Sequence, residues 1–260
     1  MENYSAHIYT IKDDSWLLKQ RYAGMILQQA IALGISVCNK GVTTKEVDSY
    51  IDEYIVNHYG CTPTFKGYKG FPTATCISVN NELVHGIPNS YILQEGDVVK
   101  IDSGVTYREA IADMARTIVV GEYKDEKHKQ LIQCCYDALN AAINSFKFEK
   151  GYLNRLGNIG YAITKEARKI NANVIVNLGG HGFERNEPHG MPFVSNVGSR
   201  DDGPIIYSGT TLAIEPMFTF GSTETNISED KWTLSLNDIG VHFEDTIFVH
   251  EDRIEILTRG

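Results

Sequence analysis

VVKIDSGVTYREAIADMARTIVV, residues 98–120, contains two runs rich in Val, Ile and Thr, and each run carries an aspartate in its interior. Because these residue types favour strands, the sequence predicts strands over residues 98–103 and 110–120. Asp102 follows the apolar residues of the first run, and Asp113 lies inside the second. A carboxylate within an apolar strand is costly to bury unless it is paired or bound to a metal.

The rest of the chain divides into helix pairs and further strands. Apolar stripes with helical spacing predict four helices, at residues 18–33, 43–55, 131–146 and 156–170. The second helix opens with Thr43 three residues before Glu46, the spacing of a capping box. Further strands are predicted at residues 75–79, 173–176, 211–214 and 242–250. Strands do not alternate one-for-one with helices, so we expect an α+β fold with an antiparallel sheet.

Composition excludes several classes of protein. The 260 residues carry a net charge of −9, which argues against a general nucleic-acid binder. No apolar run approaches the roughly 20 residues that span a bilayer, and the first residues do not resemble a secretory signal. Five cysteines without a CxxC pair indicate reduced thiols. We therefore expect a cytoplasmic protein that binds neither nucleic acid nor membrane, with a monomer as the default.

Two further acids and one histidine stand in contexts like those of the aspartates. Glu215 ends the apolar run 212–214, Glu244 follows His242-Phe243 and precedes Asp245-Thr246-Ile247, and His181 has a glycine on each side. For any one of these acids alone, exposure to solvent on an alternating strand or a cap of a turn is the better explanation. Four carboxylates together with one imidazole have the composition of a site for two divalent ions.

The order of these residues resembles that of the type I methionine aminopeptidases. The resemblance covers residues 11–257 and rests on these blocks: Cys76-Ile77-Ser78 with Asn80, His85-Gly86-Ile87-Pro88, Ile101-Asp102, Asp113, Gly180-His181-Gly182, Ile214-Glu215-Pro216-Met217, and Glu244 with Thr246. It implies a pita-bread (creatinase/aminopeptidase) fold, in which two pseudo-symmetric helix pairs lie outside a curved, mainly antiparallel sheet. It also implies that residues 1–260 form a single catalytic domain.

The resemblance implies a ligand set of Asp102, Asp113, His181, Glu215 and Glu244 for two divalent ions per chain. In that assignment Asp113 and Glu244 bridge the ions, because two nearby cations need anionic oxygens between them. Asp102 completes one ion's shell, and His181 and Glu215 complete the other's. The sequence does not choose among manganese, iron(II), cobalt and zinc.

Catalytic roles follow from the same resemblance. Glu215 carries a proton to the leaving amine, and His85 contacts the substrate near the scissile nitrogen. His189 is matched to a second histidine that binds the substrate carbonyl. It lies eight residues after His181 rather than the usual seven, which indicates a one-residue insertion.

The family encloses the methionine side chain in an apolar pocket, and the matching positions here carry several changes. These positions are Phe65, Tyr68, Phe71, Cys76 and Trp232. Phe65 replaces a common cysteine, Phe71 replaces a common tyrosine, and Pro188 precedes His189 where an aromatic residue is usual. These aromatics are explained either as a pocket wall or as ordinary packing, and the changes leave open a paralogue with altered specificity.

The predicted activity is removal of the initiator methionine from nascent proteins with a small second residue. The alternatives are another hydrolase of the same fold, such as an Xaa-Pro aminopeptidase or dipeptidase, and a non-catalytic binding protein that retains the fold. Any contact with the ribosome is expected to use the surface of the catalytic domain. The remaining histidines are expected to be solvated or to cap turns: His7, His58, His128, His242 and His250.

Overall fold

The computed structural model describes residues 9–260. Within them the helices and strands follow in the order α1 Asp14–Val37, α2 Thr44–Val56, β1 Cys61–Pro63, β2 Thr75–Val79, β3 Glu82–Val84, β4 Val98–Tyr107, β5 Ala110–Val119, α3 Glu126–Ile143, α4 Leu156–Arg168, β6 Asn173–Val174, β7 Gly179–Glu184, β8 Glu187–Ser195, β9 Thr211–Ile214, β10 Met217–Thr219, β11 Asn226–Ile227, β12 Leu234–Ser235, β13 Gly240–His242, β14 Glu244–Val249 and β15 Ile254–Ile256. A short 3₁₀ helix, Tyr68–Gly70, lies between β1 and β2.

Nine strands form one curled antiparallel sheet. Its main path runs β1-β4-β5-β14-β9-β7-β8, and β2 and β15 pair with β4 and β14 respectively. Two smaller sheets have the orders β13-β10-β6 and β11-β12-β3. The two halves of the chain therefore meet in the middle of the large sheet, where β5 pairs with β14.

Each helix pair covers one part of this sheet through its own apolar cluster. Leu27 of α1 and Ile51 of α2 belong to the cluster that includes Ile101 of β4. Leu139 of α3 and Ile159 of α4 belong to a second cluster, which includes residues of β9 and β14. Burial of apolar surface holds both pairs against the sheet, and the predicted α+β, pita-bread arrangement is confirmed.

The structure confirms most of the predicted elements and corrects others. The strands at residues 75–79 and 211–214 have the predicted bounds, and Thr43 and Glu46 form the predicted capping box. The strand predicted at 242–250 is wrong as one element, because β13 ends at His242 and β14 begins at Glu244. The strand at 173–176 shortens to two residues, and that at 98–103 extends to Tyr107.

The single domain proposed for residues 1–260 stays a prediction, and its first eight residues, with His7, lie outside the described residues. Within residues 9–260 no helix combines the length and apolar character needed to cross a membrane.

Candidate metal and catalytic site

Three of the predicted carboxylates project from one face of the large sheet. Asp102 on β4 pairs with Ala115 on β5, and Asp113 lies two residues before Ala115. Glu244 on β14 pairs with the same alanine. Directly paired residues share a face, and side chains alternate along a strand. Asp102, Asp113 and Glu244 are therefore neighbours on a single surface.

Glu215 and His181 reach the same surface from the next two strands. Leu212 on β9 pairs with Ile247 on β14 and, on its other side, with Gly182 on β7, the residue after His181. Leu212 and Ile247 are buried in the cluster beneath α3 and α4. Glu215 and Glu244 are each three residues from these apolar positions, so both face away from the helices. His181, adjacent to the paired position, faces the same way.

The two glycines beside His181 are explained by how closely the neighbouring strands approach β7. A Cβ atom on Gly180 would collide with the carbonyl oxygen of Ala213, and one on Gly182 would collide with that of Met191. Only glycine permits this backbone approach. The flanking glycines thus let His181 lie deep between β8 and β9.

The assembled side chains form overlapping groups of metal-ligand type. The Nε2 atom of His181 lies 3.9 Å from Asp113 Oδ2, 3.9 Å from Glu215 Oε1 and 3.8 Å from Glu244 Oε1. Ligand atoms within 4.8 Å of one another form a group of His181, Glu215 and Glu244 and a group of Asp102, Asp113 and Glu244. The two groups share Glu244, so the candidate ligands form one continuous cluster.

Backbone contacts fix the centre of the cluster. The Asp113 N–H donates to Thr246 Oγ1 over 2.8 Å, and the Thr246 hydroxyl donates to the Asp113 carbonyl oxygen over 2.8 Å. The N–H of Met114 donates to Asp113 Oδ1 over 2.9 Å. The backbone of Asp113 is therefore held by β14, and its carboxylate is held by the next residue of its own strand.

Burial strongly disfavours charge on these carboxylates in the protein alone. It raises the pKa of Asp102 to about 7. Burial, and secondly the neighbouring acids, raise the pKa values of Asp113 and Glu244 well above the ordinary range. Burial alone raises the pKa of Glu215 in the same way. Such a cluster ionises fully only when cations offset its charge.

Two further observations show that the residues present fit divalent cations. Burial lowers the pKa of His181 to about 3, which keeps its imidazole in the neutral form that binds metals. Oδ1 of Asp102 and Oε1 of Glu244 are buried and accept no hydrogen bond from the described residues. Buried oxygens without partners are rare, and a cation would satisfy both.

A cavity of about 440 Å³ opens onto the cluster, and every residue predicted for the site lines it. Phe65, Phe71 and Cys76 are buried together in a small apolar cluster, with Trp232 packed against them. The rings of Phe71 and Trp232 meet edge to face with centroids 5.2 Å apart. The aromatic side chains thus form a pocket wall rather than separate packing contacts, and the wall suits an unbranched apolar side chain.

The two predicted catalytic histidines lie at different points of the cavity. His85 follows β3 with a positive φ of 59°, and burial lowers its pKa to about 4. His189 lies on β8, and its ring centroid is 4.8 Å from that of His181. Its Nδ1 atom lies 3.4 Å from the hydroxyl oxygen of Tyr68. The extra residue between His181 and His189 does not remove His189 from the site.

Glu187 holds this part of the site and was not predicted. Its carboxylate accepts a hydrogen bond from the Tyr68 hydroxyl and another, over 3.2 Å, from the backbone N–H of His189. The chain therefore links the aromatic wall to β8 through one carboxylate.

The expectation that His242 is solvated or caps a turn is wrong. Its exposed fraction is 2%, it lines the cavity, and its Nε2 atom lies 3.2 Å from Glu215 Oε2. His242 is separated from Glu244 by one residue, and residues two apart on an extended chain share a face. That spacing was the signal in the sequence that could have identified it.

Comparisons with known proteins agree with this geometry. Residues 19–251 match the sequence profile described as metallopeptidase family M24. The chain is 37% identical to a methionine aminopeptidase of Mycoplasma capricolum, over 96% of this chain and 98% of that one.

Solved structures show the same similarity. A methionine aminopeptidase of Thermotoga maritima superposes with a TM-score of 0.91 and 35% identity, over 96% of this chain and 99% of the other. A prolidase of Pyrococcus horikoshii, 23% identical, superposes with a TM-score of 0.75 over 96% of this chain and 63% of its own. The second similarity concerns the fold alone.

Proposed function

The chain belongs to metallopeptidase family M24 and resembles its methionine aminopeptidases along nearly its whole length, and from that membership we propose that it removes the N-terminal methionine from nascent proteins with a small second residue. The observation that carries the proposal is the cluster of four buried carboxylates and one imidazole at the base of an aromatic cavity. The enzyme is a metal-dependent exopeptidase.

The proposed ligands are Asp102, Asp113, His181, Glu215 and Glu244, and they would hold two divalent ions. The two ligand groups that share Glu244 support this number. Mainly oxygen ligands with one imidazole suit manganese, iron(II) or cobalt, with zinc as a further choice. When bound, the ions supply Lewis acidity, which makes water nucleophilic near neutral pH and polarises the scissile carbonyl.

The chain's own residues supply binding and proton transfer. The wall of Phe65, Phe71 and Trp232 receives the methionine side chain. Glu215 takes a proton from the attacking water and gives it to the leaving amine, while His85 and His189 donate hydrogen bonds around the scissile bond. Burial keeps both histidines neutral near pH 7, since it lowers the pKa of each.

Substrate competition distinguishes this proposal from its alternatives. The protein is stripped of metal, reloaded with Mn(II) or Co(II), and assayed on Met-Ala-Ser, Leu-Ala-Ser and Leu-Pro-Ser peptides. We expect turnover of the first peptide only. Preference for the second would indicate a paralogue with altered specificity, and preference for the third an Xaa-Pro aminopeptidase.

Variants locate the activity in the cluster. Asp113→Ala is expected to abolish turnover, and Glu215→Gln to lose most of it in metal-replete protein. The exposed ion-pair residue Asp252 gives the matched control, because Asp252→Ala removes a carboxylate outside the cavity. Near-normal turnover in either cluster variant would contradict the assigned roles.

We further propose that the enzyme acts in the cytoplasm, since all five cysteines are unpaired thiols as is usual in reducing compartments. A monomeric state, and contact with the ribosome through the catalytic domain, stay predictions from the sequence.

A further inference from the structure

His242 is a buried imidazole that belongs to the site but lacks partners of its own. Its exposed fraction is 2%. Neither ring nitrogen makes a hydrogen bond of acceptable geometry with any described residue. A buried polar group without a partner loses about 1–3 kcal/mol, so its presence here calls for a specific role.

The backbone around His242 aims the ring at the cluster. The His242 N–H donates to Thr117 Oγ1 over 3.0 Å, and the Thr117 hydroxyl donates to the His242 carbonyl oxygen. The next residue, Phe243, is buried against α3 and α4. Because side chains alternate, His242 and Glu244 point together to the opposite side.

Two imidazoles thus flank the same pair of carboxylates. His181 Nε2 lies near the ε1 oxygens, 3.9 Å from that of Glu215 and 3.8 Å from that of Glu244. His242 Nε2 lies near the ε2 oxygens, 3.2 Å from that of Glu215 and 4.0 Å from that of Glu244. Glu215 therefore presents one oxygen to each ring.

We infer that His242 is a positioning residue for Glu215, and this inference rests on the proposed function. Its Nε2–H donates to Glu215 Oε2, which leaves Oε1 turned toward His181 and free for the ion that these two residues would hold. At 3.2 Å the two atoms are within hydrogen-bond distance, and reorientation of the ring or of the carboxylate would bring the N–H into line. The carboxylate that binds metal and moves the proton is then fixed in one orientation.

Removing such an outer partner weakens metal binding even though the ligands remain. Hydrogen bonds from outside the ligand shell orient the ligands, and their loss typically costs about 10–100-fold in metal affinity or activity. A direct ligand behaves differently, because its replacement changes the coordination of the ion itself.

The test compares His242→Leu, which has no donor, with His242→Gln, which keeps an N–H donor. His128→Leu on α3 is the matched control, because it removes a histidine remote from the cavity. Binding of Co(II) to each metal-free protein is measured by calorimetry, and the absorption spectrum of the Co(II) form is recorded. Circular dichroism checks that each variant is folded.

We expect His242→Leu to bind Co(II) about 10–100-fold more weakly and to lose kcat rather than raise KM on a Met-Ala-Ser peptide. His242→Gln should recover most of the affinity and keep the native Co(II) spectrum. Native affinity in His242→Leu, or a changed ligand-field spectrum in His242→Gln, would overturn the inference.

A second measurement does not depend on whether His242→Leu folds. Nitrogen-15 NMR of the native protein loaded with diamagnetic Zn(II), with the His242 signals assigned by their absence in His242→Gln, should show the Nε2–H tautomer. The Nδ1–H tautomer would overturn the inference. Failure of the proposed function would look different, because native protein with bound metal would then not hydrolyse Met-Ala-Ser at all.

Discussion

Replacement of Asp245 is expected to destabilise the protein far more than replacement of an exposed aspartate. Asp245 follows Glu244 on β14, and its side chain is fully buried on the sheet face that Glu244 does not use. Arg116 Nη2 and the Thr258 hydroxyl each donate to Oδ1 over 2.7 Å. Arg259 Nε donates to Oδ2 over 2.7 Å.

Asp245→Asn removes the only negative charge of this group and turns an N–H₂ toward donors that need an acceptor. Breaking a buried ion pair by removing one partner costs about 3–5 kcal/mol. Because Asn keeps the size of Asp and one acceptor oxygen, we expect a loss near the lower end, about 3 kcal/mol. The side chain of the adjacent residue, Glu244, should also be held less firmly in place.

The assay is urea unfolding of metal-free protein at pH 7, followed by far-ultraviolet circular dichroism. Asp252→Asn is the control, because its pair with Arg253 joins side chains that are 76% and 58% exposed, and exposed pairs contribute little. A loss below about 1 kcal/mol for Asp245→Asn, or equal losses in the two variants, would refute the reasoning.

Three other predictions concern pH, thiols and a glycine. The Arg21 guanidinium lowers the pKa of Glu255 to about 2 from an ordinary 4.5, so its stabilisation is full above pH 4.5 and fades as pH falls toward 2. Glu255→Gln should therefore lower the urea midpoint at pH 7, and the difference in midpoint from the native protein should shrink as pH falls below 4.5. A difference that does not change with pH would contradict this. All five cysteines are buried, and burial raises the pKa of each thiol. Ellman's reagent should therefore react slowly with the native protein and should modify five thiols once the protein is denatured. Rapid modification of the native protein would contradict the burial. Gly180→Ala places a methyl group against the Ala213 carbonyl, so calorimetry should show weakened metal binding, and native affinity would contradict the close strand approach.

The carboxylates could be predicted from the sequence because their signal is local. Asp102 and Asp113 interrupt apolar strands, Glu215 ends an apolar run, and Glu244 follows His242-Phe243 at the start of a strand, so each is visible within a few residues of chain. The helix start at Thr43 is likewise encoded within four residues, as a side chain that caps its own helix. Such patterns need no knowledge of tertiary contacts.

The missed features depend on distant parts of the chain. The β7–β8 hairpin is rich in glycine, which strand propensity disfavours, and its pairing depends on contact with β9. Lys100 lies in an apolar run yet is 1% exposed, because its ammonium group donates to the carbonyl oxygen of Asn80 over 2.7 Å. The spacing of His242 from Glu244 indicates its face of the strand, but its burial depends on residues remote in sequence, Glu215 among them.

The most direct test of the account is a metal titration of stripped protein with parallel assay of Met-Ala-Ser hydrolysis. The account predicts that two Mn(II) or Co(II) ions bind per chain, that hydrolysis appears with them, and that Asp113→Ala removes both binding and activity. A native protein that binds no divalent ion, or that hydrolyses the peptide equally well in excess chelator, would contradict it.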